Sequence, residues 1–362
     1  QDIAMWHREM TLFLRQFDGY HHLITTSANP GVPAESPVWE TVDYIQTHIY
    51  PSDILSSPLT QPFAEGKKQE KPQFIGEYGE SNLADTNGRV LHKGLWASIM
   101  NNPTGAAMYW DWDSVEKNNR YSEFQQVRSF LDSSALPNQG GLLSAQLPIE
   151  SSLKADLRFA PGEGWATAKQ NEFVVSSGGT ISGIQSFPSY LQGQAHREMT
   201  PKPLTLQVSY ATAGRIEVLI GQVSQSGGSV VIKCAGKEAR REFSKDAKND
   251  SEPISLEIPA GAQTITIENT GKDWVVIRQI VLSNYANALA NYARIGKDYA
   301  AAWVYHRGNL DSTSENLSPT TGRINLMGLK KGKYKATWWD VKESKSLDTT
   351  DLTIDKEKEP TW

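Results

Sequence analysis

Hydrophobic positions along the chain change period twice. From Ile3 to Phe17, Ile3, Met5, Trp6, Met10, Leu12, Phe13, Leu14 and Phe17 recur at three- and four-residue spacings, which predicts a helix packed on one broad face. The apolar stretch HHLITTSANP follows and ends in polar residues and a Pro. DYIQTHIYP repeats that pattern after VWETV, and PQFIGEYG repeats it after a helix-like SSPLTQPFAEGKKQ. GAAMYWDWDS repeats it again after GRVLHKGLWASIMN, in which Val90, Leu91, Leu95, Trp96 and Ile99 share one helical face. SEFQQVRSFLDS predicts a closing helix.

Strands alternating with helical stretches predict parallel βαβ units. The four strands, near residues 22–27, 44–50, 73–77 and 106–112, all finish on polar or aromatic side chains. In a (β/α)8 barrel those ends carry the chemistry, and four strands are half of one. The first expected domain is therefore a half-barrel over 1–135. A Pro/Gly/Ser-rich linker follows at 136–145.

Beyond the linker the helical period disappears. PLTLQVSYA, RIEVLIGQV, SVVIKCAG, PISLEIPAG, QTITIENTG and VVIRQIVLSN alternate apolar with polar residues between turn signals, which predicts an antiparallel β-sandwich over 146–286. YAAAWVYHR, GRINLMGLKKGKYKATWWDVKES and SLDTTDLTI predict a small Ig-like β-domain over 287–362. The expected fold class is thus multidomain, α/β followed by all-β.

Composition narrows the partners. Lys plus Arg total 36 against 41 Asp plus Glu, and no basic block stands out, so nucleic acid is not an expected partner. No apolar run approaches the ~20 residues needed to span a bilayer, so no membrane is expected either. A single Cys excludes an intrachain disulfide. The opening QDIAMWHREMTLFLRQFD reads like the middle of a helix, from which further N-terminal sequence is expected.

Candidate chemistry concentrates at the strand ends. Glu77, in KPQFIGEYGE, is an acid at the tip of an apolar strand, where neighbours can orient it as a nucleophile. His48 and Tyr50 are two apart, so both face one side of their strand; a Tyr hydroxyl there could hydrogen-bond the acid, and a His could hold a substrate hydroxyl. Trp110 and Trp112 are likewise two apart, with Asp111 and Asp113 on the alternate face. Indole faces stack on the C–H surfaces of sugar rings, and a flanking carboxylate accepts sugar hydroxyls. Taken alone, Glu77 reads first as a solvated acid and His48 with Tyr50 as a packed pair, while the two Trp read evenly as packing or platform; together they point to a saccharide pocket.

HHLITTS, DYIQTHIYP, KPQFIGEYG and GAAMYWDWDS resemble strands 5 to 8 of a clan A glycoside hydrolase, closest to glycoside hydrolase family 5 and its cellulase-like relatives, over about residues 1–132. The resemblance implies a retaining hydrolase of β-linked oligo- or polysaccharide. Glu77 would be its nucleophile, Tyr50 the residue that positions it, and His48, Trp110, Trp112 and Asp111 would bind substrate. No cofactor is implied. An enzyme degrading such polymers is expected to be secreted, periplasmic or at the cell surface.

The family's acid/base, a second Glu at the end of strand 4, has no counterpart here. Retention needs both carboxylates about 5–5.5 Å apart. Glu80 lies beyond the strand tip and Glu9 within a helix, so neither suits the role. The missing half-barrel would belong to the same gene, to a separate chain, or to a second copy. The rival expectation is an inactive carbohydrate-binding or scaffolding protein that retains a barrel remnant. The sandwich resembles galactose-binding-like jelly rolls, with Trp165, Phe187, Tyr190 and Trp274 as candidate sugar contacts, and Asp and Asn in its turns could hold a structural calcium. Trp303, Trp338 and Trp339 are expected to pack, and GLKKGKYK to form a solvated hairpin turn.

Overall fold

The computed structural model describes residues 2–28, 36–50, 71–80, 85, 87–101, 105–162, 164–245, 248, 252–310 and 317–356. The expected helix in SSPLTQPFAEGKKQ lies outside the described residues. The chain forms two compact units: Gln1–Leu147 with Asn291–Val304 and Asn325–Trp362, and Pro148–Ala290 with Tyr305–Ile324. No helix among the described residues is long and apolar enough to cross a membrane.

In the first unit, helix α1 (Asp2–Phe17) precedes a parallel sheet of β1 (Ser27–Ala28), β2 (Ile45–Ile49) and β3 (Gln73–Tyr78), in that order. Residues 108–110 continue the sheet beyond β3. Met108 donates its N–H to Ile75, Tyr78 to Met108 and Trp110 to Tyr78, with a parallel bridge between Tyr78 and Tyr109. The first strand is shorter than expected, since residues 21–26 are irregular.

Helix α2 (Arg89–Asn101) is buried on nearly every side. Asp85 starts it by accepting the N–H groups of Val90 and Leu91, 3.1 and 3.0 Å away, two of the donors a helix N-terminus leaves unpaired. Helices α3 (Trp112–Lys117) and α4 (Tyr121–Ser133) follow.

Helix α1 departs from its expected packing. Its polar side is tied inward, Arg15 to Asp43 at 2.6 Å and His7 Nε2 to Thr26 Oγ1 at 2.7 Å, with Thr11 its buried residue. The Arg15 guanidinium and the Ile24 N–H hold the Asp43 carboxyl below its ordinary range. Ile3, Trp6, Met10, Phe13 and Phe17, one stripe at helical spacing, are all exposed.

The expected third domain at 287–362 is not a separate body. Strand β4 (Leu143–Ala145), inside the expected linker, pairs with Ala293–Ile295 of β16 (Leu289–Ile295), and β17 (Ala300–His306) completes that sheet. Trp303 stacks on Trp96 of α2 and on Tyr292 at about 6.4 Å, and Trp339 meets Phe130 of α4 at 6.1 Å. These aromatic contacts join the C-terminal segments to the helices. Trp338 is exposed. Strands β19 (Gly332–Asp340) and β20 (Lys345–Ile354) pair, and their turn is Val341–Ser344. GLKKGKYK therefore leads into β19 and is not the hairpin turn; Lys330 instead donates its N–H to Lys297.

The second unit is a β-sandwich. One sheet runs β13 (Ile254–Ile258), β10 (Gly214–Val223), β15 (Val275–Asn287), β6 (Lys154–Phe159), with β8 (Tyr190–Leu191) also on β15. The other runs β12 (Lys237–Phe243), β11 (Gly228–Cys234), β14 (Gly261–Asn269), β9 (Leu204–Tyr210), β7 (Glu172–Val174). Alternating residues such as Ile216, Val218 and Ile220 of β10 and Leu204, Leu206 and Val208 of β9 fill one core between the sheets. Strand β5 (Ile149–Ser151) pairs with β18 (Gly322–Ile324) beside it.

Candidate active site

The β2–β3 ladder carries one irregularity, and it sets the site. Gln46 pairs with Phe74 and Thr47 with Ile75, but His48 pairs with Glu77 and Ile49 with Tyr78. Gly76 is the extra residue of a bulge. In an unbroken strand Glu77 would share a face with Gln73 and Ile75, both buried. The bulge turns it to the opposite face, beside Gln46 and His48, while Tyr78 takes the buried side and donates its hydroxyl to the Leu91 carbonyl at 3.0 Å. Glycine suits the bulge because a Cβ there would lie 2.5 Å from Gln46 Nε2.

Two side chains converge on one oxygen of Glu77. Tyr50 donates its hydroxyl to Oε2 at 2.7 Å, and His48 Nδ1 stands 3.1 Å from the same atom. Partial burial, then the Glu77 and Asp111 charges, push the Tyr50 phenol well above its ordinary value, so it remains a proton donor at any physiological pH. On its far side His48 Nε2 meets Ser27 Oγ at 2.6 Å, and Gln46 Nε2 donates to that same oxygen at 3.4 Å.

The chain returns to the sheet through Tyr109 and Trp110. Trp110 is 52% exposed. Asp111 comes within reach of Tyr50 across Gly79: a Cβ on that glycine would lie 3.5 Å from the Tyr50 ring and 3.6 Å from Asp111 Oδ2. Trp112 does not continue the strand. It opens α3 and is largely exposed, so the expected two-residue alternation with Trp110 fails, and Asp113 is a first-turn residue of that helix.

The two other acids weighed beside Glu77 are placed elsewhere. Glu80 is buried in an ion pair with Lys93 of α2 at 2.7 Å, and Glu9 is exposed on α1. Sequence reasoning missed Ser27 and Gln46. Gln46 was findable, because 46, 48 and 50 alternate onto one face, and Ser27 ends the hydroxyl-rich HHLITTS.

In the sandwich, three of the four candidate aromatics meet. Trp165, 46% exposed, lies edge-on to Tyr190 at 5.3 Å, to His196 at 5.1 Å and to Trp274 at 6.5 Å. Phe187 is instead a core residue against Phe173. Among the described residues no group of three or more His, Cys, Asp or Glu is placed to hold a metal ion.

No family model and no curated protein matches the chain. Solved structures match it at low similarity. The exo-beta-1,3-galactanase of Phanerochaete chrysosporium, solved with galactose, is 11% identical over 40% of this chain and 29% of its own, with a TM-score of 0.20. A beta-(1,4)-mannanase of Podospora anserina is 15% identical over 41% of this chain and 28% of its own, with a TM-score of 0.20. A two-domain esterase active on acetylated mannans is 12% identical over 70% of this chain and 76% of its own, with a TM-score of 0.26. The chain thus spans under a third of the galactanase and of the mannanase, and likenesses at these scores carry no argument about its chemistry.

Proposed function

We propose that the chain carries the nucleophile side of a retaining glycoside hydrolase acting on β-linked oligo- or polysaccharide. The observation that supports this most is the convergence of Tyr50 and His48 on Oε2 of Glu77. With the Tyr50 hydroxyl donating to Oε2 and His48 beside it, the carboxylate is oriented while Oε1 is left to attack. Oε1 bonds to the anomeric carbon, the bond to the leaving oxygen breaks, and an acid protonates that oxygen. Water, deprotonated by the same group, then hydrolyses the glycosyl ester and frees the Glu77 carboxylate. Trp110 stacks on the sugar, Asp111 accepts a sugar hydroxyl, and Trp112 borders the site.

The parallel strands 27–28, 45–49 and 73–78, with the bridged segment 108–110, belong, in this proposal, to one half of a (β/α)8 barrel. The acid/base Glu comes from a segment or partner chain outside the described residues. Support for such a partner is the outward apolar stripe of α1, an area that water disfavours and a covering element would bury. Action on a polymer too large to enter a cell puts the protein outside the cytoplasm. The sandwich, through Trp165, Tyr190 and Trp274, would hold the same polysaccharide.

Glu77→Gln tests the assignment. Turnover of an activated aryl β-glycoside should be lost with the fold intact, and undiminished turnover would sink it. The second reading is an inactive carbohydrate-binding protein, favoured by the burial of Glu80 in its pair with Lys93, which removes from the site the acid nearest Glu77 in sequence. Glycan binding without any aryl glycoside turnover, in wild type complete with its partner segment, would select it.

A further inference from the structure

We propose that Asp85 is a positioning residue that holds Trp110 and Asp111 to the face of the nucleophile; this rests on the substrate contacts given above to those two residues. Asp85 is buried, and three donors reach its carboxylate: the Val90 N–H on Oδ1 at 3.1 Å, the Leu91 N–H on Oδ2 at 3.0 Å and the Tyr109 hydroxyl on Oδ2 at 3.1 Å. The first two start α2. The third reaches across to the residue before Trp110. The Asp85 backbone carbonyl in turn accepts the Ser114 hydroxyl of α3, at the longer distance of 3.4 Å. Residues 110–113, which hold every candidate of this strand end, thus lie between two side chains that meet one residue.

The Tyr109 contact decides which way Trp110 points. Tyr109 bridges Tyr78 in the parallel ladder, so both side chains turn to the buried side of the sheet, where their rings lie 5.3 Å apart. Trp110 follows by one residue and takes the other side, that of Glu77. A slip of one residue would exchange the two, and a Tyr109 hydroxyl bound to the start of α2 opposes that slip. Burial, then the Asp85 and Asp111 charges, raise the Tyr109 phenol, so it stays a donor. Backbone pairing ends at this point: Trp110 donates its N–H to Tyr78 at 2.9 Å, whereas Trp112 donates to Trp110 at 2.8 Å. The anchor therefore stands at the last stretch of ladder before the chain turns into α3.

Tyr109→Phe in the full chain deletes the anchor and leaves both N–H contacts at the start of α2. Amide hydrogen exchange should rise about 10-fold at Trp110 and Trp112 and stay the same at Val90 and Leu91. On an aryl glycoside KM should rise about 10-fold with kcat little changed, as expected when binding is lost equally before and at the transition state. Asp85→Asn should raise KM and the exchange at Trp110 and Trp112 as well, and should also speed exchange at Val90 and Leu91, since one of its two acceptors is gone. A general loss of stability would speed exchange at all four amides alike in Tyr109→Phe. That pattern, unaltered exchange at Trp110 and Trp112, or a fall in kcat at constant KM would overturn the proposal. If wild type turned over no glycoside, the hydrolase reading would fail by itself and the exchange pattern alone would decide the role of Asp85.

Discussion

Tyr78 of β3 lies against the bare backbone of Gly94 on α2: a Cβ on that glycine would sit 2.1 Å from the Tyr78 ring. The contact lets the helix approach the strand that presents Glu77, with the Tyr78 hydroxyl on the Leu91 carbonyl. Gly94→Ala should therefore destabilise the protein by about 2–3 kcal/mol through overpacking, although alanine is the better helix former. A thermal melt that leaves Tm unchanged would contradict the contact.

Alkaline stability follows from the same tyrosine. Burial raises the Tyr78 phenol well above its ordinary value, reinforced by the neighbouring Tyr109 and Asp85, and burial likewise raises Tyr109. Above pH ~10 the unfolded chain releases these protons while the folded chain keeps them, so the folded state binds more protons and its stability falls as pH rises. Urea midpoints measured from pH 8 to 11 should decline, and Tyr78→Phe should flatten the decline while lowering stability at pH 8. An equally steep decline in the variant would show that Tyr78 does not contribute.

Tyr50→Phe removes the hydroxyl that donates to Oε2 and leaves the ring. A hydrogen bond to a charged group is worth ~1.5–3 kcal/mol, so kcat/KM on an activated aryl glycoside should fall about 10- to 100-fold. Equal rates for variant and wild type would remove Tyr50 from the site.

Glu80 and Glu77 should separate in their effects. Glu80→Gln removes one charged contact of the buried Lys93, which should cost up to about 3 kcal/mol of stability. Turnover per folded molecule should change less than 3-fold, since Glu80 is given no part in the chemistry. A large loss of turnover without loss of stability would instead make Glu80 the acid/base.

The aromatic cluster on the sandwich is expected to act on binding alone. Trp165→Ala in the full chain should lose retention on a polysaccharide gel while aryl glycoside turnover stays the same. Unchanged retention would return Trp165 to a packing role.

How legible these features are in the sequence depends on what holds each element. The strands of PLTLQVSYA and RIEVLIGQV show the period of the face they bury, so pattern alone finds them. Strand β12, KEARREF, is a charged edge strand with its first residues exposed, and it carries no apolar alternation for a pattern to find. In α1 the apolar stripe is plain, but it points outward, because Arg15 and His7 tie the opposite side to Asp43 and Thr26. The site divides in the same way. Glu77, His48 and Tyr50 stand out as polar residues ending apolar strands, whereas Trp112 was misplaced because the strand gives way to a helix at that residue. The Gly76 bulge is invisible to a two-residue alternation rule, yet it turns Glu77 toward His48.

Covalent trapping of Glu77 is the most direct test of its role as nucleophile. A 2-fluoro-glycoside with a dinitrophenyl leaving group slows hydrolysis of the glycosyl ester, and its leaving group departs without protonation, so the acid/base is not required. Peptide mass spectrometry should find one fluoro-glycosyl group on Glu77, and none in Glu77→Gln. A label on another residue, or turnover of the unfluorinated glycoside with no adduct at Glu77, would contradict the account.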